Sequence, residues 1–327
     1  MDILYKLKNK LVPNFGGGVA VEPVPNSHDY LGSMVDKYLN SVDISGIRIA
    51  KTSEGVEICV IPKKEEDSQV INYCFNYNAD GLLLLRGVET NVKRIPKSKK
   101  ISIISKNSIP DFAIAARPAG SEKDFNWVPI HGKALGVSLN TKIEFKVNGQ
   151  IVSKNALNSI DIDDFEIVQS FNARNLGHPT EVLWKHTVIH SISKKEPCLS
   201  VSNRVDFLRE TEIKNMYLTM LPATSKSMDK LYLNDGSSFP SIPMNNSELK
   251  ISTGADSAVY LGKYGDFNYI CAVDILDKKE GKEARVTFRG DNVTKFYLDT
   301  FNGIAKKGQV FTNTQRLLVL CSVDSLD

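Results

Sequence analysis

Hydrophobic positions along most of this chain recur at every second residue, in short runs separated by turn-forming residues. That period places alternate side chains on opposite faces of a strand. IRIAKTSEGVEICVIP carries two β-branched runs around Ser53-Glu54-Gly55, a polar tip with a glycine able to close a hairpin. VINYCFNYNADGLLLLRGVE repeats the arrangement around Asn78-Ala79-Asp80-Gly81, and TKIEFKVNGQIV repeats it around Asn148-Gly149. Further on, FEIVQSFNARN, EVLWKHTVIHSI, CLSVSNRVDFL, TEIKNMYLTML, SAVYLG, NYICAVDIL, ARVTFRG, TKFYLDTF and RLLVLCSV read as successive strands. Helical spacing is clear only in 30–42, with a shorter amphipathic pattern in 2–11. The pattern predicts a mainly β protein: a large antiparallel two-sheet sandwich with a short N-terminal helical arm.

Turn-rich stretches divide the chain. Gly16-Gly17-Gly18 followed by Pro23 and Pro25 reads as a hinge, giving an arm over 1–25. The polar segment SKNALNSIDIDD sets a soft boundary between a β-rich unit with one helix, 26–152, and a C-terminal sandwich, 153–327. The Ser-, Pro- and Asn-rich stretch within 222–248 reads as a long loop.

Composition narrows the function classes. At 327 residues, with 42% hydrophobic and 24% charged, the chain has enough apolar side chains for a sizeable core. The 41 basic and 38 acidic residues are too evenly balanced for nucleic-acid binding by charge alone. The run Lys93, Arg94, Lys97, Lys99, Lys100 lacks interleaved aromatics and reads as a solvated loop. Five widely spaced cysteines, without a CxxC pair, read as buried thiols rather than a zinc site. No apolar run has the length of a membrane span or the core of a signal peptide, so synthesis in the cytoplasm is expected, with a virion as one destination. No phosphate-binding glycine motif and no GxSxG elbow is present, and no cofactor or metal is expected.

The candidate chemistry lies in Glu181 to Pro222. Alternation along 182–190 puts Trp184, His186 and His190 on one strand face. An indole stacks on the C–H face of a sugar, and imidazoles supply hydrogen bonds to its hydroxyls. Trp184, His186, His190 and Arg204 are therefore the expected ligand-binding residues. The competing interpretation makes Trp184 a core residue and the histidines edge caps. On a strand, His186 and His190 stand about 13 Å apart, at about 3.3 Å per residue, too far for one metal ion. His131 and His178 sit beside Gly or Pro in expected loops, and Arg204 and Asp206 form a same-face pair.

The order WKHTVIHSISKKEPCLSVSNRVDFLRETEIKNMYLTMLP, then a loop, then TKFYLDTFNGIAKKGQVFTNTQRLLVL, with Lys295, Tyr297 and Gly308 in the closing part, carries a resemblance. Over roughly 140–327 it resembles the large β-sandwich, or supersandwich, of galactose-mutarotase-like proteins and polysaccharide-lyase C-terminal domains. It also looks like carbohydrate-directed modules of bacteriophage tail proteins. The resemblance implies a carbohydrate-directed sandwich. The mutarotase histidine and acid motifs do not match here residue by residue, so that catalytic assignment is not carried over. Two functions follow as expectations. One is a non-catalytic structural or receptor-binding protein, virion-associated, homo-oligomeric and presenting a glycan-binding surface. The other is a carbohydrate-active enzyme, an epimerase or polysaccharide-cleaving protein, using His186 or His190 as acid or base.

Overall fold

The computed structural model describes residues 44–62, 69–92, 101–102, 115–119, 128, 138–158, 161–174, 180–224, 230–233, 238–240, 249–253, 255, 257–264, 267–275, 283–289 and 293–322. The expected helical arm, glycine hinge, 30–42 helix and basic run, together with His131 and His178, lie outside the described residues. Among the described residues, no helix is long and apolar enough to cross a membrane.

The strand pattern is realised as three antiparallel sheets. The first holds β1 (Ile44–Lys51), β2 (Gly55–Pro62), β3 (Gln69–Tyr77), β4 (Leu83–Val92) and β5 (Ile101–Ser102), in that order. The central sheet draws on β7 (Ser138–Val147), β8 (Gln150–Val152), β9 (Asp164–Arg174), β10 (Val182–Ser193), β11 (Glu196–Phe207), β13 (Lys230–Leu233), β14 (Ser238–Pro240), β16 (Ser257–Tyr264), β17 (Phe267–Ile275) and β20 (Val310–Ser322). Its order is β14-β13-β16-β17-β20-β11-β10-β9-β7-β8. The third sheet runs β15-β18-β19-β12-β6, from Leu249–Thr253, Glu283–Arg289, Val293–Ala305, Thr211–Thr224 and Ala115–Pro118.

Core composition fixes the layering. One apolar cluster joins Ile47, Ile58, Tyr73 and Leu85 of the first sheet to Phe165, Ile167, Val201 and Val319 of the central sheet. A second joins Leu84, Ile213, Met216 and Ala305 to Phe171, Trp184, Phe207 and Phe311. Phe165, Ile167 and Phe171 occupy alternate positions of β9 and so share one face. The two smaller sheets therefore cover the same face of the ten-stranded sheet. The expected two-sheet sandwich is corrected to three sheets in two layers. Pairing of β7 with β9 carries the central sheet across residues 152/153, and β13 and β14 stand where a long loop was expected.

All three hairpins form where the turn residues predict. At the β7–β8 turn, Asn148 and Gly149 take φ of 49° and 76°, the left-handed pair that suits a two-residue hairpin. Asn148 Oδ1 accepts from the backbone N–H groups of Asp163 and Asp164, tying this turn to the start of β9. Gly55 serves a different need. A Cβ there would lie 1.9 Å from the carbonyl oxygen of Phe75, so β2 and β3 approach too closely for any side chain. Gly55→Ala is expected to destabilise by about 1–3 kcal/mol, through forced displacement of backbone. Urea unfolding checks this, and an unchanged midpoint would show that β3 yields freely.

Candidate functional site

Buried and half-exposed positions alternate strictly along β10 from Trp184 to Ser193. Trp184, His186, Val188, His190 and Ile192 face inward and are at most 5% exposed. The common face expected for Trp184, His186 and His190 therefore exists, but it lies inside the sandwich. Trp184 packs on Phe207 with ring centroids 5.4 Å apart. His186 lies 4.8 Å from the Phe171 ring, and His190 meets Phe75 edge-on at 4.9 Å. Only the His190 contact crosses from the central sheet to the first one.

Arg204 is not brought to them. It stands on the opposite, solvent-facing side of the central sheet, where its guanidinium donates to Asp206 at 2.6–3.0 Å. That bond raises the Arg204 pKa further. The four expected ligand-binding residues are thus divided between two faces, three sealed and one exposed.

His186 Nε2 lies 3.3 Å from Asn203 Oδ1. A carbonyl oxygen can only accept, so Nε2 carries the proton and Nδ1 is left as a bare acceptor. Among the described residues Nδ1 has no partner, nor do Asn203 Nδ2 and Trp184 Nε1. Burial pushes the His186 pKa down to about 4, opposed in part by the Asn203 bond. At neutral pH the ring is uncharged and shut off from solvent.

The strand register reveals a feature that single-strand reading missed. Gln169, Val188, Asn203 and Asn313 are direct partners across β9, β10, β11 and β20. His190, Val201 and Gln315 form the next row. Gln169, His186, His190, Asn203, Asn313 and Gln315 are all buried, making a polar band across the inner face. Gln169 explains one part of it. Its amide accepts from the Leu83 N–H and donates to the Leu83 carbonyl, both at 2.8 Å, replacing a strand partner and joining the first sheet to the central one. Tyr73 Oη reaches the Leu317 carbonyl at 3.5 Å across the same interface.

The solvent-facing side of the central sheet is built differently. Partners across the strands there form the row Lys146, Glu166, Ser191, Ser200 and Arg316, followed by rows holding Ser202 with Thr314 and Thr187 with Arg204. At its β8 edge, a recess of about 290 Å³ opens among Lys146, Glu166, Ser191, Ser193, Glu196 and Ser200. Beside it β11 runs from Glu196 to Ser200 while β10 runs only from Ser191 to Ser193, a bulge in β11 of the kind that re-aims the side chains around it. The Ser200-x-Ser202 alternation was the sequence signal for this face. Among the described residues, no group of three or more His, Cys, Asp or Glu side chains could hold a metal ion.

No known family model matches the chain, and no curated protein does. Solved structures do resemble it. The GH36 α-galactosidase AgaB from Geobacillus stearothermophilus is 8% identical over 85% of this chain and 41% of that one, with a TM-score of 0.44. A candidate aldose 1-epimerase from Klebsiella pneumoniae is 9% identical over 87% of this chain and 86% of that one, at 0.45. The heparan sulfate lyase HepC from Pedobacter heparinus is 7% identical over 85% of this chain and 37% of that one, at 0.39. This chain spans about two fifths of the length of the α-galactosidase. No phage-tail protein is among these three.

Proposed function

We propose that this protein is a non-catalytic, carbohydrate-binding β-sandwich that presents its ligand surface on the outer face of the ten-stranded sheet. The observation that carries this reading is the division of side chains between the faces of that sheet. His186 and His190, the candidate acid and base, are sealed between layers. The outer face carries Ser and Thr hydroxyls in register across four strands, set among paired charges. Hydroxyls that both donate and accept suit the hydroxyls of a sugar, whose own groups do the same.

The assembly part of the reading is a virion-associated homo-oligomer, a role that suits a rigid binding body without chemistry of its own. Light scattering on the full chain is expected to give a multiple of 36.3 kDa, and a monomer at high concentration overturns that part. Binding is tested on an array of immobilised oligosaccharides, with each ligand that binds assayed in parallel for cleavage and epimerisation. Binding without turnover is the expected result. Turnover abolished by His186→Asn, in a variant that still folds, would establish the enzyme instead.

A further inference from the structure

The recess at the β8 edge of the central sheet has the makings of a specific site, and the inference drawn from it rests on the carbohydrate-binding reading above. We propose that it holds a single uncharged pyranose unit of the bound glycan through Ser191, Ser200, Lys146 and Glu166.

Size sets the first limit. A volume of about 290 Å³ lies at the lower end of small-ligand sites, which run from roughly 300 to 1,000 Å³. That suits one ring better than an extended oligomer. Charge sets the second. Lys146 Nζ donates to Glu166 at 2.9 Å, and Arg316 donates to Glu196 at 2.9 Å. The Lys146 pKa is raised by its bond to Glu166, so its ammonium stays charged at neutral pH. Asp164 adds a further carboxylate to the lining, so acidic groups outnumber basic ones and an anionic ligand is disfavoured.

The hydrogen-bonding pattern then selects the chemistry. Ser191 and Ser200 are direct cross-strand partners, so their Cβ atoms stand about 5 Å apart, close enough to address adjacent groups on one molecule. Neither hydroxyl has a protein partner among the described residues. The Glu166 carboxylate keeps lone pairs beyond the one used by Lys146, and the ammonium keeps N–H donors. Two hydroxyls, a carboxylate and an ammonium on one wall match a diol on neighbouring ring carbons, each of whose hydroxyls donates once and accepts once. The site is also preformed. Asn148 fixes the β7–β8 turn to the start of β9, and Ser191 to Ser193 pair in regular register with β9.

The test titrates the best ligand from the glycan array against the full chain by calorimetry. Glu166→Gln keeps the shape while removing the charge, and Ser200→Tyr fills the recess. Each is expected to weaken binding at least tenfold, while Ser53→Tyr, at the exposed β1–β2 turn of the first sheet, leaves it unchanged. Should Ser200→Tyr fail to fold, Glu166→Gln decides alone. Array binding that both recess variants retain would overturn the recess and leave the carbohydrate reading standing. Binding confined to sulfated or uronic-acid glycans, and lost with added salt, would overturn the uncharged-sugar assignment. An array with no binding at all would overturn both.

Discussion

Trp184→Ala is expected to lower the unfolding free energy by about 3–5 kcal/mol, the range for removing a buried aromatic from a packed core. Trp184 is wholly enclosed, against Phe207 and within the cluster that joins the central sheet to Ile213 and Met216 of the third sheet. Loss of the indole therefore loosens the contact between layers rather than a surface. Trp184→Phe should cost much less, because it preserves an aromatic ring at this position and deletes an indole N–H that has no acceptor. Urea unfolding of both variants measures the difference, and glycan binding by whatever folds should be unaffected. A change within about 0.5 kcal/mol, as surface substitutions give, accompanied by lost glycan binding, would return Trp184 to the ligand surface.

The fate of this tryptophan shows how far the sequence was legible. Period-two alternation located β10 and β11 and correctly grouped Trp184 with His186 and His190, because alternation depends only on local geometry. It could not say which face was covered. An inner face holding Gln169, His186, His190, Asn203, Asn313 and Gln315 reads on any single strand like a solvated one. Only register across β9, β10, β11 and β20 shows that these polar positions line up. The covering layer is equally non-local, since the two amide bonds of Gln169 run to Leu83, 86 residues away. Hairpin tips such as Asn148-Gly149 were legible for the opposite reason, being set by residues in immediate succession. The recess stayed invisible because it requires a turn, a bulge and three strand ends together.

Stability is expected to fall as pH drops from about 6.5 towards 4, with His186 the source of a defined part of the loss. In the unfolded chain its imidazole takes up a proton near the ordinary 6.5, whereas burial holds it down to about 4 in the fold. Between those values the unfolded state binds more protons, so acidification favours unfolding. Above 6.5 neither state is protonated and the effect is absent; below about 4 both are, and the loss has reached its full extent. The separation corresponds to about 3 kcal/mol. His186→Phe isolates the contribution, because a phenyl ring beside Phe171 fills the same space and cannot titrate. The variant leaves Asn203 Oδ1 without its donor, at a cost of about 1–3 kcal/mol that does not depend on pH. The wild type should accordingly lose stability relative to the variant progressively from pH 8 to pH 4.5, in urea midpoints measured across the range. His190 stays in place in both proteins, so its own effect cancels from the comparison. A difference that stays constant with pH would mean that the His186 ring is protonated within the fold as readily as in the unfolded chain. It would then have access to solvent, and the case for it as an acid or base would be restored.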